Sequence, residues 1–336
     1  MRTPELATPL SRRGFLAGTI GAGLVMARCS TSPATPAAPT TPTGSAVSVP
    51  GALGTVTLKA APQRVAAVGY LRDTDIAVAL GANLVVASRN QLFGNGTAAW
   101  VKPKPVTKLI YTSDAPNYEE IAAARPDVIL ANDDFGLAKD YPLLSKIAPT
   151  LSYLHGVNKD SWTEMTQRAG DLLGKRALAD QLITQVQGKI ADAKAQHPEL
   201  AGKTFTFGPV QAGNQIYTIS SASDPGAAFF GQFGMTLSPS VTGLPKSSTP
   251  NRAQLSPEQI QLLDADIVII SYDTPQTRAA FEANPLFRDL PAVKRGAYVG
   301  LDLTAAVALA FPSVLSIPYA LDGVLPKLAA AAKSHA

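Results

Sequence analysis

The chain has one cysteine in 336 residues, Cys29, so it can form no disulfide within itself and must be held together by its core. It has three histidines, His155, His197 and His335, too few and too scattered to build a direct zinc or manganese site from imidazole and carboxylate ligands. No G-x-S-x-G elbow is present, and only His155 is placed to serve a cleft as a base, which leaves an envelope hydrolase as a weak alternative. Aromatic residues make up 7% of the chain and include two tryptophans, which disfavours a large flat aromatic cage. A surplus of charge is missing too. Of the formal +4, the first 50 residues carry +3, from Arg2, Arg12, Arg13 and Arg28 against Glu5, so nothing in the remainder suggests nucleic acid as a partner. The apolar stretch from Ala17 to Val25 is short and diluted with glycine, unlike a membrane span. Gly18, Gly21 and Gly23 follow no strand, so they are not read as a phosphate loop.

What is present at the start is a run of signals. Ser11-Arg12-Arg13-Gly14-Phe15-Leu16 ahead of that apolar stretch resembles a twin-arginine export signal, and an ordinary secretory signal with two arginines is the other reading. Residues 30–50 are rich in Pro, Thr, Ser and Ala, without charge or apolar period, and read as a disordered tether. Signal, single cysteine and tether together resemble a bacterial lipoprotein. That resemblance implies lipidation of Cys29, where each buried CH₂ of an acyl chain contributes about 0.8 kcal/mol of membrane affinity. Arg28 departs from the pattern, which takes a small residue before the cysteine. The expected location is the cell envelope or periplasm, with the membrane touched only through the lipid.

Beyond the tether, short apolar strands alternate with helices. Val65-Ala66-Ala67-Val68, Leu84-Val85-Val86-Ala87, Val128-Ile129-Leu130 and Thr150 to Leu154 read as strands, and the pattern predicts an α/β domain with a mostly parallel sheet. Ser161 with Glu164 forms a capping-box signature. A long helix is expected from about Arg176 to His197, stopped by Pro198, and the strand pattern then restarts at Thr204 and runs through Ile267-Val268-Ile269-Ile270 to Ala297-Tyr298-Val299. A last helix is expected from Ser313 to about Ala332.

The chain also repeats itself. Residues 118–130 and 257–269 share a short helix, a turn, an aspartate and a buried strand at a constant offset, so that Glu119 meets Glu258, Ile121 meets Ile260 and Asp127 meets Asp266. With Pro62-Gln63-Arg64-Val65, Leu144-Ser145-Lys146-Ile147-Ala148-Pro149-Thr150 and Leu290-Pro291-Ala292-Val293-Lys294-Arg295-Gly296-Ala297-Tyr298, these marks make the chain from Pro62 to Leu328 resemble the periplasmic binding proteins of iron–siderophore, haem and cobalamin ABC importers. The resemblance implies two similar α/β lobes joined by a single long rigid helix, with the ligand in the cleft between them. The expected divisions are an export signal over 1–29, the tether over 30–50, an N-terminal lobe over 51–174, the connecting helix over 175–198 and a C-terminal lobe over 199–336. It also implies a monomer with no enzymatic activity, no cofactor and no metal ligated by the protein itself. The expected ligand is an Fe(III)–siderophore complex, with haem or cobalamin as the alternative, and the expected partner is the importer's permease.

In parallel sheets ligands sit beyond the carboxyl ends of the strands. That rule selects Tyr70 and Arg72 after the first strand, Arg89 after the second, Asn132 and Phe135 after the third, and Tyr272 after the buried strand of the second half, and Arg252 is added from its place just before the second repeat helix. Arginine offers planar donors to anionic oxygens and tyrosine an apolar face with one hydroxyl, both suited to a bulky chelate. Trp162 is expected to serve packing. Glu119 and Glu258 stand near helix N-termini, where the dipole favours them, and the resemblance gives that pair the role of meeting permease arginines.

Overall fold

Val65 and Ala67 of strand β3 (Val65–Ala67) join one hydrophobic cluster while Ala66 between them joins another, so both faces of this strand are covered. The structure, a computed structural model, describes residues 46–102, 108–111 and 116–334. The expected export signal, Cys29 and most of the expected tether lie outside the described residues. Residues 47–49, expected within the tether, instead form β1 (Val47–Val49), which pairs antiparallel with β2 (Val56–Leu58); Val49 is buried and Ser48 exposed, the alternation of a half-buried strand.

The first lobe is built on five parallel strands in the order β5-β4-β3-β6-β7, with β4 at Leu84–Arg89, β5 at Lys108–Tyr111, β6 at Val128–Leu130 and β7 at Thr150–Leu151, the last shorter than the sequence suggested. Helices α1 (Arg72–Ala79), α2 (Tyr118–Ala123), α3 (Leu137–Ile147) and α4 (Trp162–Leu172) connect and cover it. Ser161 caps α4 by accepting from the Glu164 amide at 3.2 Å, but the Glu164 carboxylate turns to His155 rather than back to the cap.

Helix α5 (Arg176–Gln196) follows, 21 residues and therefore about 31 Å long. It buries Ala179, Ile183, Val186 and Ile190 and packs on α4 of the first lobe and α11 (Ser316–Gly323) of the second, which makes it the brace between them. The fit against α4 is close: a Cβ on Gly170 would stand 2.5 Å from the Cβ of Ala179.

The second lobe holds β8 (Thr204–Gln211), β9 (Gln215–Ile219), β10 (Thr236–Leu237), β11 (Arg252–Leu255), β12 (Ile267–Tyr272) and β13 (Tyr298–Leu301) in the order β11-β9-β8-β12-β13, with β10 beside β8. Its helices are α6 (Pro225–Gly231), α7 (Pro275–Glu282), α8 (Pro285–Arg288), α9 (Pro291–Lys294), α10 (Leu303–Ala310), α11 and α12 (Leu325–Ala332). The single terminal helix expected from Ser313 is two, broken at Val324, because Pro326 starts α12 and cannot continue the helix before it.

The repeat has a mechanical meaning. Asp127 accepts the amides of Gln63 and Arg64 at 2.7 and 2.9 Å and so fixes the chain entering β3. Asp266 accepts the amide and hydroxyl of Thr204 at 2.7 and 2.8 Å and fixes the chain entering β8. Each aspartate locks the central strand of its own sheet to the strand that follows it in the repeat.

Candidate ligand-binding site

In the first sheet the chain leaves β3, builds outward through β4 and β5, and returns to β6 on the other side. The crevice outside the carboxyl ends of β3 and β6 is therefore the point where strand order reverses, the place where such sheets bind ligands. Tyr70 and Phe135 stand there. Facing them, Phe311 follows α10 of the second lobe. The three rings touch: Tyr70 and Phe311 lie 5.0 Å apart, Tyr70 and Phe135 5.6 Å apart edge to face, and Phe135 and Phe311 6.0 Å apart. A cavity of about 410 Å³ opens beside them, walled in the second lobe by Phe207, Gln211, Tyr217 and Ser271, by Ser248 and Thr249, and by Leu303, Val307 and Ala310 of α10.

Arg252 at the start of β11 supplies the charge. Its guanidinium lies 5.5 Å from the Phe311 ring centre, and its Nε reaches Asp224 Oδ2 at 3.5 Å. Its Nη2 is buried and has no hydrogen-bond partner among the described residues. Burial pushes the Asp224 carboxyl and the Tyr70 hydroxyl above their ordinary pKa ranges, the Arg252 charge opposing the shift in both.

Of the residues selected from sequence, Tyr70, Phe135 and Arg252 come together on this wall. Arg72, Asn132 and Tyr272 do not. Arg72 is buried, with Nε and Nη2 both on Asp133 Oδ1 while Asp133 Oδ2 accepts the Arg72 and Leu71 amides at 2.9 and 3.0 Å. Asn132 donates to Asp73 at 2.8 Å and accepts from Arg168 at 3.1 Å. These bonds tie the loops after β3 and β6 together, so both side chains shape the crevice floor from behind. Gly69 makes room for the tie, since a Cβ there would meet Asp73 Oδ2 at 2.1 Å. Tyr272 is buried, with its hydroxyl 2.8 Å from that of Tyr298, which donates to Glu282. Arg89 ends β4, half-buried and off the described cavity wall. Trp162 is buried in the main core, as expected. Glu119 and Glu258 are both exposed in the first turns of their short helices.

Sequence reasoning missed Phe311 and the α10 wall. The available signal was Asp302, which caps α10 by accepting the Ala305 amide at 2.8 Å, ahead of the apolar run from Ala305 to Phe311. His155 is exposed, 3.1 Å from Glu164 and away from the cavity, which removes it as a cleft base. With Asp160 these two could bring three ligand atoms within 4.8 Å, but the Asp160 oxygens already accept the Leu154 and His155 amides.

Two α/β lobes, a bracing helix and a cleft between strand ends define a solute-binding protein. A family model described as periplasmic binding protein matches residues 67–303, and the chain belongs to that family. The family is extracytoplasmic and of the substrate-binding type. Among the described residues no helix is long and apolar enough to cross a membrane. A periplasmic solute binding protein from Mycobacterium smegmatis is 26% identical, covers 85% of this chain and 99% of its own, and gives a TM-score of 0.73. PiaA from Streptococcus pneumoniae, solved in complex with ferrichrome, is 27% identical over 86% of this chain and 100% of its own, with a TM-score of 0.74. SirA from Staphylococcus aureus, solved with staphyloferrin B, is 26% identical over 84% of this chain and 98% of its own, with a TM-score of 0.70. A comparison with curated protein sequences gave no match.

Proposed function

We propose that this chain captures an Fe(III)–siderophore complex outside the cytoplasm and delivers it to the permease of an ABC importer. The observation that carries the reading is the inter-lobe cavity with aromatic rings from both lobes and the Arg252 guanidinium in its wall. A guanidinium in such a wall offers planar donors to the oxygens of a ligand. The ferrichrome bound in the PiaA structure and the staphyloferrin B bound in the SirA structure support the choice of a ferric chelate. Calorimetric titration of the purified protein with ferric chelates, their iron-free forms and haem tests the proposal. Saturable binding of at least one ferric chelate, tighter than its iron-free form, is expected; binding of haem alone, or of none, overturns it.

The finer points belong to the same proposal. Cys29 carries the lipid that holds the protein at the membrane, and residues 30–45 space the lobes from it. The lobes divide at 51–174 and 199–336 around the connecting helix over 175–198, and the protein acts as a monomer without catalysis. Exposed Glu119 and Glu258, one on each lobe at matching points of the repeat, meet basic residues of the permease.

A further inference from the structure

Among the described residues lining the cavity, Arg252 is the one charged side chain. Its charge is already partly matched by Asp224, which is fully buried 3.5 Å away. The rest of the described wall is hydrocarbon, aromatic ring, hydroxyl and amide: Phe135, Val307 and Leu303 on one hand, Gln211, Tyr217 and Thr249 on the other. A ligand carrying several negative charges would lose its water here and meet no second cation. A neutral ligand with accepting oxygens would lose little, and one oxygen could accept from the Arg252 guanidinium. The volume, about 410 Å³, is at the compact end of the roughly 300–1,000 Å³ usual for ligand pockets.

Resting on the ferric-chelate reading above, we infer that the cleft selects its chelate by charge, taking an electroneutral Fe(III) trihydroxamate in preference to the multiply anionic complexes of catecholates and polycarboxylates. Three singly charged hydroxamates neutralise Fe(III), and their carbonyl oxygens remain able to accept from a guanidinium. Three catecholates around the same ion leave a net charge of minus three. The apolar outer surface of a hydroxamate chelate then lies against Phe135 and α10.

The test is a calorimetric titration of the purified protein with ferrichrome, ferric enterobactin and ferric dicitrate at one pH and ionic strength. Ferrichrome is expected to bind about a hundredfold more tightly than either anionic complex, with an affinity that changes little as salt is raised. Arg252→Gln is expected to weaken ferrichrome about tenfold. Phe135→Ala, at an exposed position with no part in the core, is expected to weaken it as well, which keeps the test open if the Arg252 variant folds poorly. If enterobactin or dicitrate binds as tightly as ferrichrome or more so, selection by charge is overturned while the ferric-chelate reading stands. If none of the three binds to the folded protein, both fall.

Discussion

Ser313 donates its hydroxyl hydrogen to Asp75 Oδ2 across 238 positions of sequence, joining the turn after α10 to α1 of the first lobe. Trp100 Nε1 donates to the same oxygen at 2.8 Å, and Ser313 Oγ also accepts the Leu315 and Ser316 amides at 3.2 and 2.9 Å. The turn held this way begins at Phe311, which stands in the cavity wall. Hence the second lobe's contribution to the cleft is pinned to the first lobe two residues away. Ser313→Ala removes a hydrogen bond to a buried carboxylate and is expected to cost about 1.5–3 kcal/mol of stability, read from urea denaturation. A loss close to zero would show the bond to be dispensable.

The buried carboxylates make stability depend on pH. Burial pushes Asp75 and Asp134 up to about 7 from the ordinary 3.8. In the unfolded chain both ionise near their ordinary value, so between these limits the folded protein holds more protons. Their contribution to stability is therefore fully present in acid and is lost as pH rises through 7. The melting temperature is expected to be higher at about pH 5.5 than at about pH 8, and Asp75→Asn should flatten the difference. A melting temperature that climbs across this window would contradict the assignment.

Arg72 separates a structural role from a binding one. Arg72→Ala strands Asp133 in the interior and is expected to cost about 3–5 kcal/mol, while the affinity of the remaining folded protein for its chelate stays the same. Denaturation and titration on one sample read both. Lost affinity at unchanged stability would return Arg72 to the ligand.

For the permease contacts, Glu119→Lys combined with Glu258→Lys is expected to abolish uptake of the ferric chelate by cells and to leave its affinity for the purified protein within about twofold, because both side chains are exposed and outside the cavity wall. Normal uptake by the double variant would remove the proposed docking pair.

The two-lobed fold was legible because its marks are local. Asp127 and Asp266 each cap the entry to a central strand, and the helix over Arg176–Gln196 shows its buried face at helical spacing. The site was legible only as far as loops. The strand-end rule selects Tyr70 and Arg72 alike, yet one points into the cavity and the other into an ion pair with Asp133, a choice made by a partner 61 residues away. Helix α10 escaped notice for a different reason. Ala305 to Ala310 are all buried, so the helix has no polar face and leaves no amphipathic period to detect. The end of the expected tether was misplaced because Val47 and Val49 give too short an alternation to stand out without their partner strand.

Capture between the lobes is tested most directly by a crystal structure of the protein grown with ferrichrome. The expected result is iron and chelate density in the cavity beside the Tyr70, Phe135 and Phe311 rings, with a ligand oxygen within hydrogen-bond reach of the Arg252 guanidinium. Density bound elsewhere on the surface, with that cavity filled by solvent alone, would contradict it.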